Sequence, residues 1–320
     1  MKAVVNTKYG APSVLSLKEI EKPSLKKDEI LVKIMATAVN SGDCRIRRAD
    51  PFAVRFFFGL TKPRTKILGG VLSGEVVEIG SNVKLYNVGD KVFGSTDMNF
   101  GAYAEYKTFP ETGTLALKPD SLSHVQAAVI PFGGATALHF IKKAEIKSGQ
   151  KVLIVGASGA VGTAAVQIAK AFGAIVTAVC STSNLELVRS LGADKVIDYT
   201  KEDFTKNNEK YDVIFDTVNS IQIPKSAKSL NINGKMILSA AGLTEMIKGL
   251  WLTITTDKKV VTGVTKQSAA DINYLKGLVE SGKLKPVIDR TYTMNEMVGA
   301  HSYVETGRKK GNVAITISLN

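Results

Sequence analysis

The sequence predicts an α/β fold in which a β-rich N-terminal domain precedes a doubly wound parallel sheet. Three observations carry that prediction. Residues 151–173, KVLIVGASGAVGTAAVQIAKAFG, read as a buried strand running through a glycine-rich turn into a helix. Near residue 121 the rhythm changes from successive β-compatible runs to strands alternating with helical patterns. The length, 320 residues, leaves room for about two domains and a large core.

Taken in order, residues 2–5, 30–35, 74–79 and 103–108 are short β-compatible runs. They are separated by turn signals at Tyr9-Gly10, Asn40-Ser41-Gly42, Gly80-Ser81-Asn82 and Gly89-Asp90. Helical patterns at 125–129 and 135–142 lead into the strand at 152–155. Further strands are expected at 175–179, 196–197, 211–215, 235–238 and 260–264, with helices at 184–191, 221–230 and 269–281. From Lys285 onward the chain reads as β-like again and ends in a strand at 312–317. The expected domains are therefore 1–120 with 285–320, and 121–284.

The glycine-rich turn is the most informative local feature. Gly156-Ala157-Ser158-Gly159-Ala160-Val161-Gly162 opens a helix lined by Ala164, Ala165, Ile168 and Ala169. In the fingerprint G-x-G-x-x-G, glycines permit a tight turn, passage of the pyrophosphate and close helix contact. Here Ala157 stands in the first slot, with Gly159 and Gly162 in the second and third. A Walker loop would need a lysine at the end of the turn, and Gly162-Thr163 has none. A hydrolase elbow G-x-S-x-G is met at Gly156 and Ser158 but broken at Ala160, although Asp216 and His301 follow in a permissible order. A dinucleotide is thus the expected ligand, with Ser158, Gly159, Ala160 and Val161 around its phosphates.

The second strand of the sheet decides which dinucleotide. An NAD site places Asp or Glu about 20 residues past the glycines. This strand ends Val179-Cys180-Ser181-Thr182-Ser183-Asn184, with no acid. Ser181, Ser183, Asn184 and the following helix N-terminus suit a 2′-phosphate instead, so NADPH is expected; helix capping by either serine is compatible with that role. Tyr199 is a candidate neighbour of adenine or phosphate, or a strand-end packing residue.

Composition bounds the rest. A hydrophobic content of 44% and a mean hydropathy of +0.06 describe a globular chain without a segment of membrane-spanning length. Met1-Lys2-Ala3-Val4-Val5 reads as a strand and not as a signal peptide, and two cysteines make no disulfide framework; a cytoplasmic location is expected. The formal charge is +13, which favours a phosphorylated cofactor and does not require nucleic acid. One local excess stands out at 43–66, where seven basic residues oppose two acids and Phe52, Phe56, Phe57 and Phe58 are interleaved. Core packing or cleft lining is preferred there over nucleic acid or a membrane surface.

Several further stretches share one family pattern. They are Val39-Asn40-Ser41-Gly42-Asp43 with Arg47, Ile67-Leu68-Gly69-Gly70-Val71-Leu72-Ser73-Gly74-Glu75-Val76, Val88-Gly89-Asp90-Lys91-Val92, Gly101-Ala102-Tyr103-Ala104-Glu105-Tyr106 and Gly282-Lys283-Leu284-Lys285-Pro286. Together with the glycine turn, their order resembles the medium-chain dehydrogenase/reductases. Within that superfamily the chain is most similar to the zinc-independent quinone oxidoreductase branch, as in chloroplast-envelope-type homologues and their bacterial relatives.

The resemblance implies a GroES-like domain, a Rossmann domain, an active cleft between them and often a homodimer through the last Rossmann strand, here bounded by Val260 and Val264. It implies that Asn40 lies beside the nicotinamide as cofactor contact and oxyanion donor, although Asn40 as a turn residue stays open. Thr136 would contact the carboxamide, with helix packing as the alternative, and Ser239 and Ala240 would pass the nicotinamide or mark an ordinary strand exit. Positions that hold catalytic zinc in alcohol dehydrogenases are Asn40, Gly70 or Val71, and Phe132, so no metal is expected; His124, His139 and His301 show no ligand spacing either. Relatives often carry Asp at Val71 and Tyr at Arg45, which leaves the substrate pocket open and makes Arg45 a second candidate catalytic residue, against a surface arginine. The implied reaction is hydride transfer from NADPH to a quinone or an α,β-unsaturated carbonyl. A cofactor-binding regulatory protein, an RNA binder and a serine hydrolase using Ser158 are the alternatives.

Overall fold

A computed structural model describes residues 1–317 and divides the chain into two compact units. Among the described residues, the first comprises 1–132, 267–280 and 286–317, and the second comprises 133–266 and 281–285.

The strands of the first unit begin with β1 (Lys2–Asn6), β2 (Leu15–Glu19), β3 (Glu29–Val39), β4 (Val71–Ile79), β5 (Lys91–Ser95), β6 (Tyr106–Pro110) and β7 (Leu115–Leu117). In the second unit follow β8 (Lys151–Val155), β9 (Ile175–Cys180), β10 (Lys195–Asp198), β11 (Tyr211–Asp216), β12 (Leu230–Leu238) and β13 (Lys259–Val261). The last two, β14 (Ile288–Thr293) and β15 (Asn312–Thr316), return to the first unit. Helices are α1 (Ser41–Arg48), α2 (Val54–Phe58), α3 (His124–Ala128), α4 (Ile130–Lys143), α5 (Ala160–Ala171), α6 (Leu185–Ser190), α7 (Ile223–Ala227), α8 (Leu243–Thr255), α9 (Ala269–Glu280) and α10 (Met297–Glu305).

In the first unit β1 pairs with β2, and a larger sheet runs β14-β15-β3-β4-β5-β7 with β6 on β3. All its pairings are antiparallel except β14 with β15. The long strand β3 is its centre because Ile30, Leu31, Val32, Ile34, Ala36, Ala38 and Val39 are all buried. α10 closes one face, adding Met297, Ala300 and Val304 to the core around Leu68, Leu72 and Tyr103.

The second unit has the order β10-β9-β8-β11-β12-β13, every pairing parallel. β8 is buried from Val152 to Val155, as a strand covered on both faces must be, and α5 lays Ala164, Ala165, Ile168 and Ala169 against the sheet. The strand order reverses between β8 and β11, the switch point outside which such sheets bind ligands, and the glycine turn leaves β8 there.

Four expectations need correction. The turn expected at Asn40-Ser41-Gly42 is the start of α1, whose polar sequence buries Asp43, Cys44 and Arg47. The strand expected at 260–264 is confined to Lys259–Val261, with Val264 exposed beyond it. The helix expected at 221–230 stops at Ala227, and Leu230 already pairs with Tyr211 in the sheet. The β-like tail contains α10, whose buried Ala300, His301 and Val304 repeat at helical spacing.

Candidate dinucleotide turn and the polar corner at Asn40

The glycine turn holds its shape by main-chain bonds. Gly156 N and Ala157 N both donate to Val179 O, and Gly159 N donates to Gly156 O at 3.1 Å. Its three glycines answer different demands. Gly156 has φ +76°, the left-handed region that suits glycine. At Gly162 a Cβ would sit 2.1 Å from Gly156 O, so only glycine lets α5 approach. Gly159, in contrast, has φ −81° and ψ 177°, and a Cβ there would meet nothing closer than Gly156 O at 3.5 Å. Packing within the chain gives no reason for glycine at 159, and a Cβ-sized space beside it is unfilled. Behind that space lies the α5 N-terminus, whose first N–H groups have no intrahelical acceptor and favour an anion.

Asn184 organises the neighbouring hydroxyls. Its Nδ2 donates to Ser158 Oγ at 3.0 Å and to Ser181 Oγ at 3.1 Å, while its Oδ1 is buried without a partner. Each serine oxygen accepts from Asn184, so its own hydroxyl proton is not spent on that bond. Ser181 Oγ also stands 3.5 Å from Ser183 Oγ. Donors on strand-end serines beside a helix terminus fit a 2′-phosphate, and the turn fits a pyrophosphate. NADPH held here would be contacted by Ser158, Gly159, Ala160, Val161, Ser181 and Asn184.

One nearby acid was hidden from the linear reading. Asp198, at the end of β10, accepts from Thr182 Oγ1 at 2.5 Å and from Thr200 N and Oγ1 at 3.0 and 2.7 Å. The Thr182 hydroxyl, first among these donors, holds the Asp198 carboxyl below the usual range. Both its oxygens are occupied, and it lies on the neighbouring strand instead of the β9 end where an NAD-selecting acid belongs. Tyr199 follows it with an exposed ring. Ser239 Oγ donates to Asp216 O at 3.2 Å, and Thr136 is buried on α4.

The Asn40 corner in the first unit is built differently. Asp43, fully buried, accepts from Asn40 N at 2.9 Å and Gly69 N at 3.2 Å, tying the end of β3 to the segment before β4. Burial pushes its carboxyl up to about 6, against the pull of those two donors. Burial, and then the Asp43 charge, raises the Tyr103 phenol well above its usual range. Asn40 is itself buried; its Nδ2 makes no hydrogen bond of good geometry, while its side chain lies close enough to Asp43 to help hold that carboxyl down. A buried amide donor without a well-aligned acceptor is costly unless something outside the chain accepts from it. Aromatic rings border this corner. A Cβ on Gly42 would reach the Phe132 ring at 3.9 Å, and one on Gly70 would reach the Phe100 ring at 3.9 Å. Arg45 lies on α1 with its side chain exposed.

The remaining histidines and the hydrolase reading resolve together. His301 places Nδ1 3.4 Å from Cys44 Sγ, and burial lowers it to about 3. Asp216 spends its carboxylate on Val218 N, Ser220 N and Ile221 N. Ser158 is bonded to Asn184, so it has neither the base nor the acid that a nucleophile needs. The hydrolase alternative is thereby removed. His124 Nδ1 lies 2.8 Å from Ser73 Oγ. Among the described residues no three His, Cys, Asp or Glu side chains stand together as a metal site would require.

A β-rich unit joined to a doubly wound sheet, with a glycine turn at the switch point, defines a two-domain dinucleotide-binding protein. Comparison with known proteins narrows this. Residues 26–120 match the model of the alcohol dehydrogenase GroES-like domain, 132–240 that of the alanine dehydrogenase/PNT C-terminal domain, and 191–315 that of zinc-binding dehydrogenases. The chain is 36% identical to 2-methylene-furan-3-one reductase of Solanum lycopersicum, over 98% of this chain and 79% of that protein. It is 34% identical to the chloroplastic NADPH-dependent alkenal/one oxidoreductase of Arabidopsis thaliana, with the same coverage. The quinone oxidoreductase of Coxiella burnetii superposes with a TM-score of 0.90 at 31% identity, covering 99% of both chains. The chain belongs to the medium-chain dehydrogenase/reductase superfamily.

Proposed function

We propose that this protein is a zinc-independent, NADPH-dependent reductase of quinones and α,β-unsaturated carbonyls. The observation that carries the reading is the pairing of Gly159, where a Cβ meets little, with two serine hydroxyls braced by Asn184. NADPH bound there supplies a hydride to an electrophilic carbon. The substrate oxygen on which negative charge develops is proposed to accept from Asn40 Nδ2, a buried amide beside Asp43 in the first unit. Asn40, Gly70, Val71 and Phe132 offer no thiolate, imidazole or carboxylate, so the activation needed for simple alcohol oxidation has no ligand set here, whereas a conjugated acceptor needs only positioning and that hydrogen bond. Thr136, Ser239 and Ala240 contribute to the nicotinamide end, Tyr199 to the adenosine end, and Arg45 adds positive potential near the substrate.

The relatives bearing names of NADPH-dependent alkenal/one and quinone reductases support the same substrate class. A homodimer is proposed through β13, which is an edge of its sheet, extended by the exposed Leu243, Ile247, Leu250, Trp251 and Ile254 of α8. Cys44 and Cys180 are free and buried, in keeping with a cytoplasmic location, and no helix among the described residues is long and apolar enough to cross a membrane.

The test is oxidation of NADPH in the presence of benzoquinone, methyl vinyl ketone and trans-hexenal, with NADH in parallel. Turnover that prefers NADPH is the expected result. Tight NADPH binding with no turnover on any acceptor would leave a cofactor-sensing protein in place of an enzyme.

A further inference from the structure

The basic and phenylalanine-rich stretch singled out in the sequence is not absorbed by the reductase reading. Cleft lining or core packing is the expectation there, yet only Phe58 turns inward, its ring 5.7 Å from that of Phe100 in an edge-on contact. Phe52, Phe56, Phe57 and Leu60 are 63%, 65%, 76% and 57% exposed. Four large apolar side chains within nine residues face solvent, where a scattered exposed residue would need no explanation but a contiguous group marks an interaction surface.

The tip that carries them is firmly held. Tyr9 Oη donates to Gly59 O at 2.7 Å, Arg64 N donates to Phe58 O at 2.7 Å, and Arg55 lies over the Tyr9 ring at 4.9 Å. Its charge is equally one-sided. Lys62, Arg64 and Lys66 are exposed, while Arg48, also exposed, is ion-paired with Asp50 and Glu305. Of the two acids in the stretch, Asp43 is buried on backbone donors and Asp50 is paired with Arg48 at 2.9 Å. No unpaired carboxylate of the stretch opposes these cations.

We propose that this tip, residues 52–64, docks the protein on an anionic lipid surface. Phenylalanines and a leucine enter the headgroup and acyl boundary while the surrounding arginines and lysines meet the lipid charges. Leu60 weighs against single-stranded nucleic acid as the occupant, because an aliphatic side chain adds to insertion and adds nothing to base stacking. The edge-on Phe52–Phe56 pair, at 6.0 Å and 86°, likewise offers no stacked platform. The docking does not depend on turnover, although the quinones and longer enones of the proposed reaction dissolve in such membranes.

Sedimentation with vesicles tests it, using phosphatidylcholine alone and phosphatidylcholine mixed with phosphatidylglycerol. The full chain should pellet with the mixed vesicles, less so as salt rises, and stay in solution with phosphatidylcholine alone. Phe56→Ser with Phe57→Ser should lower partitioning about tenfold or more while NADPH oxidation with soluble benzoquinone is unchanged. Lys62→Glu with Arg64→Glu should abolish the preference for anionic lipid. A protein that never pellets, or pellets equally well in both variants, overturns the proposal. So does loss of benzoquinone reduction in the phenylalanine variant without vesicle binding, which would return the patch to the substrate site. Retention on poly(U) RNA that the same variants weaken, with no vesicle association, would assign the tip to nucleic acid.

Discussion

At the glycine turn of the second unit, the groups proposed to meet NADPH are main-chain N–H groups and two serine hydroxyls. At the Asn40 corner of the first unit, the proposed oxyanion donor is one side-chain amide held beside a buried carboxylate and a buried phenol. The turn has its own internal bonds and needs no ionisable group, so its readiness is independent of pH. The corner depends on Asp43 staying ionised inside the protein, where burial already pushes it up to about 6. One region is prepared by backbone geometry and the other by a charge kept under strain from its surroundings, and the two respond to different perturbations.

The sharpest way to separate geometry from ligand recognition is within the turn. Gly162→Ala should cost about 3 kcal/mol or more, because its Cβ falls on Gly156 O and both are main chain, and thermal unfolding will show it. Gly159→Asp should leave the melting temperature nearly unchanged and weaken NADPH roughly a hundredfold by repulsion at the pyrophosphate, read by calorimetric titration. Unchanged affinity in that variant would overturn the central assignment.

Asn40→Ala tests the other region. It should lower kcat about a hundredfold with a smaller change in KM, as loss of an oxyanion donor does. Equal losses in NADPH affinity would move Asn40 from chemistry to cofactor binding.

A subtler change returns to the turn. Asn184→Asp should cut NADPH affinity about tenfold and spare NADH, by placing a carboxylate beside the proposed 2′-phosphate. Equal binding of both dinucleotides before and after would show that Asn184 only braces the serines.

The smallest effect separates the regions by pH. As pH falls through about 6, Asp43 takes a proton and can no longer accept from both Asn40 N and Gly69 N, so kcat should fall on the acid side. The stability sign is the opposite. The folded chain binds this proton more readily than the unfolded one, so between about 6 and the ordinary 3.8 acidification relieves a burial penalty of this group. Activity loss without a matching drop in NADPH affinity, removed in Asp43→Asn, identifies the corner as its source.

The linear pattern was sufficient for β8, its turn and α5, because strand, glycines and small-residue helix face are all local. It was insufficient for α1, where Ser41-Gly42-Asp43-Cys44-Arg45-Ile46-Arg47-Arg48 lacks an apolar stripe. That helix forms around buried polar contacts: Arg47, with no exposure, pairs with Glu305 and donates to Gly10 O at 2.7 Å. No periodicity announces an arginine whose partners lie so far along the chain. α8 was unassigned although its apolar Leu243, Met246, Ile247, Leu250, Trp251 and Ile254 recur at helical spacing; they form one face that stays exposed, while Leu252 is buried on the other. The serines and Asn184 were legible as residue types, but only tertiary contact shows which hydroxyls Asn184 braces. Asp198 was invisible because strand pairing, and not sequence distance, brings it to Thr182.

The empty space before Gly159 has a consequence for how the protein would fail in a cell. Chaperones and proteases act on molecules that unfold, and their triage follows folding stability. A Cβ at 159 meets nothing nearer than Gly156 O at 3.5 Å, so Gly159→Asp should be synthesised, folded and retained like the wild type while binding NADPH about a hundredfold more weakly. Damage at this position would escape quality control and surface only as a full complement of poorly loaded protein.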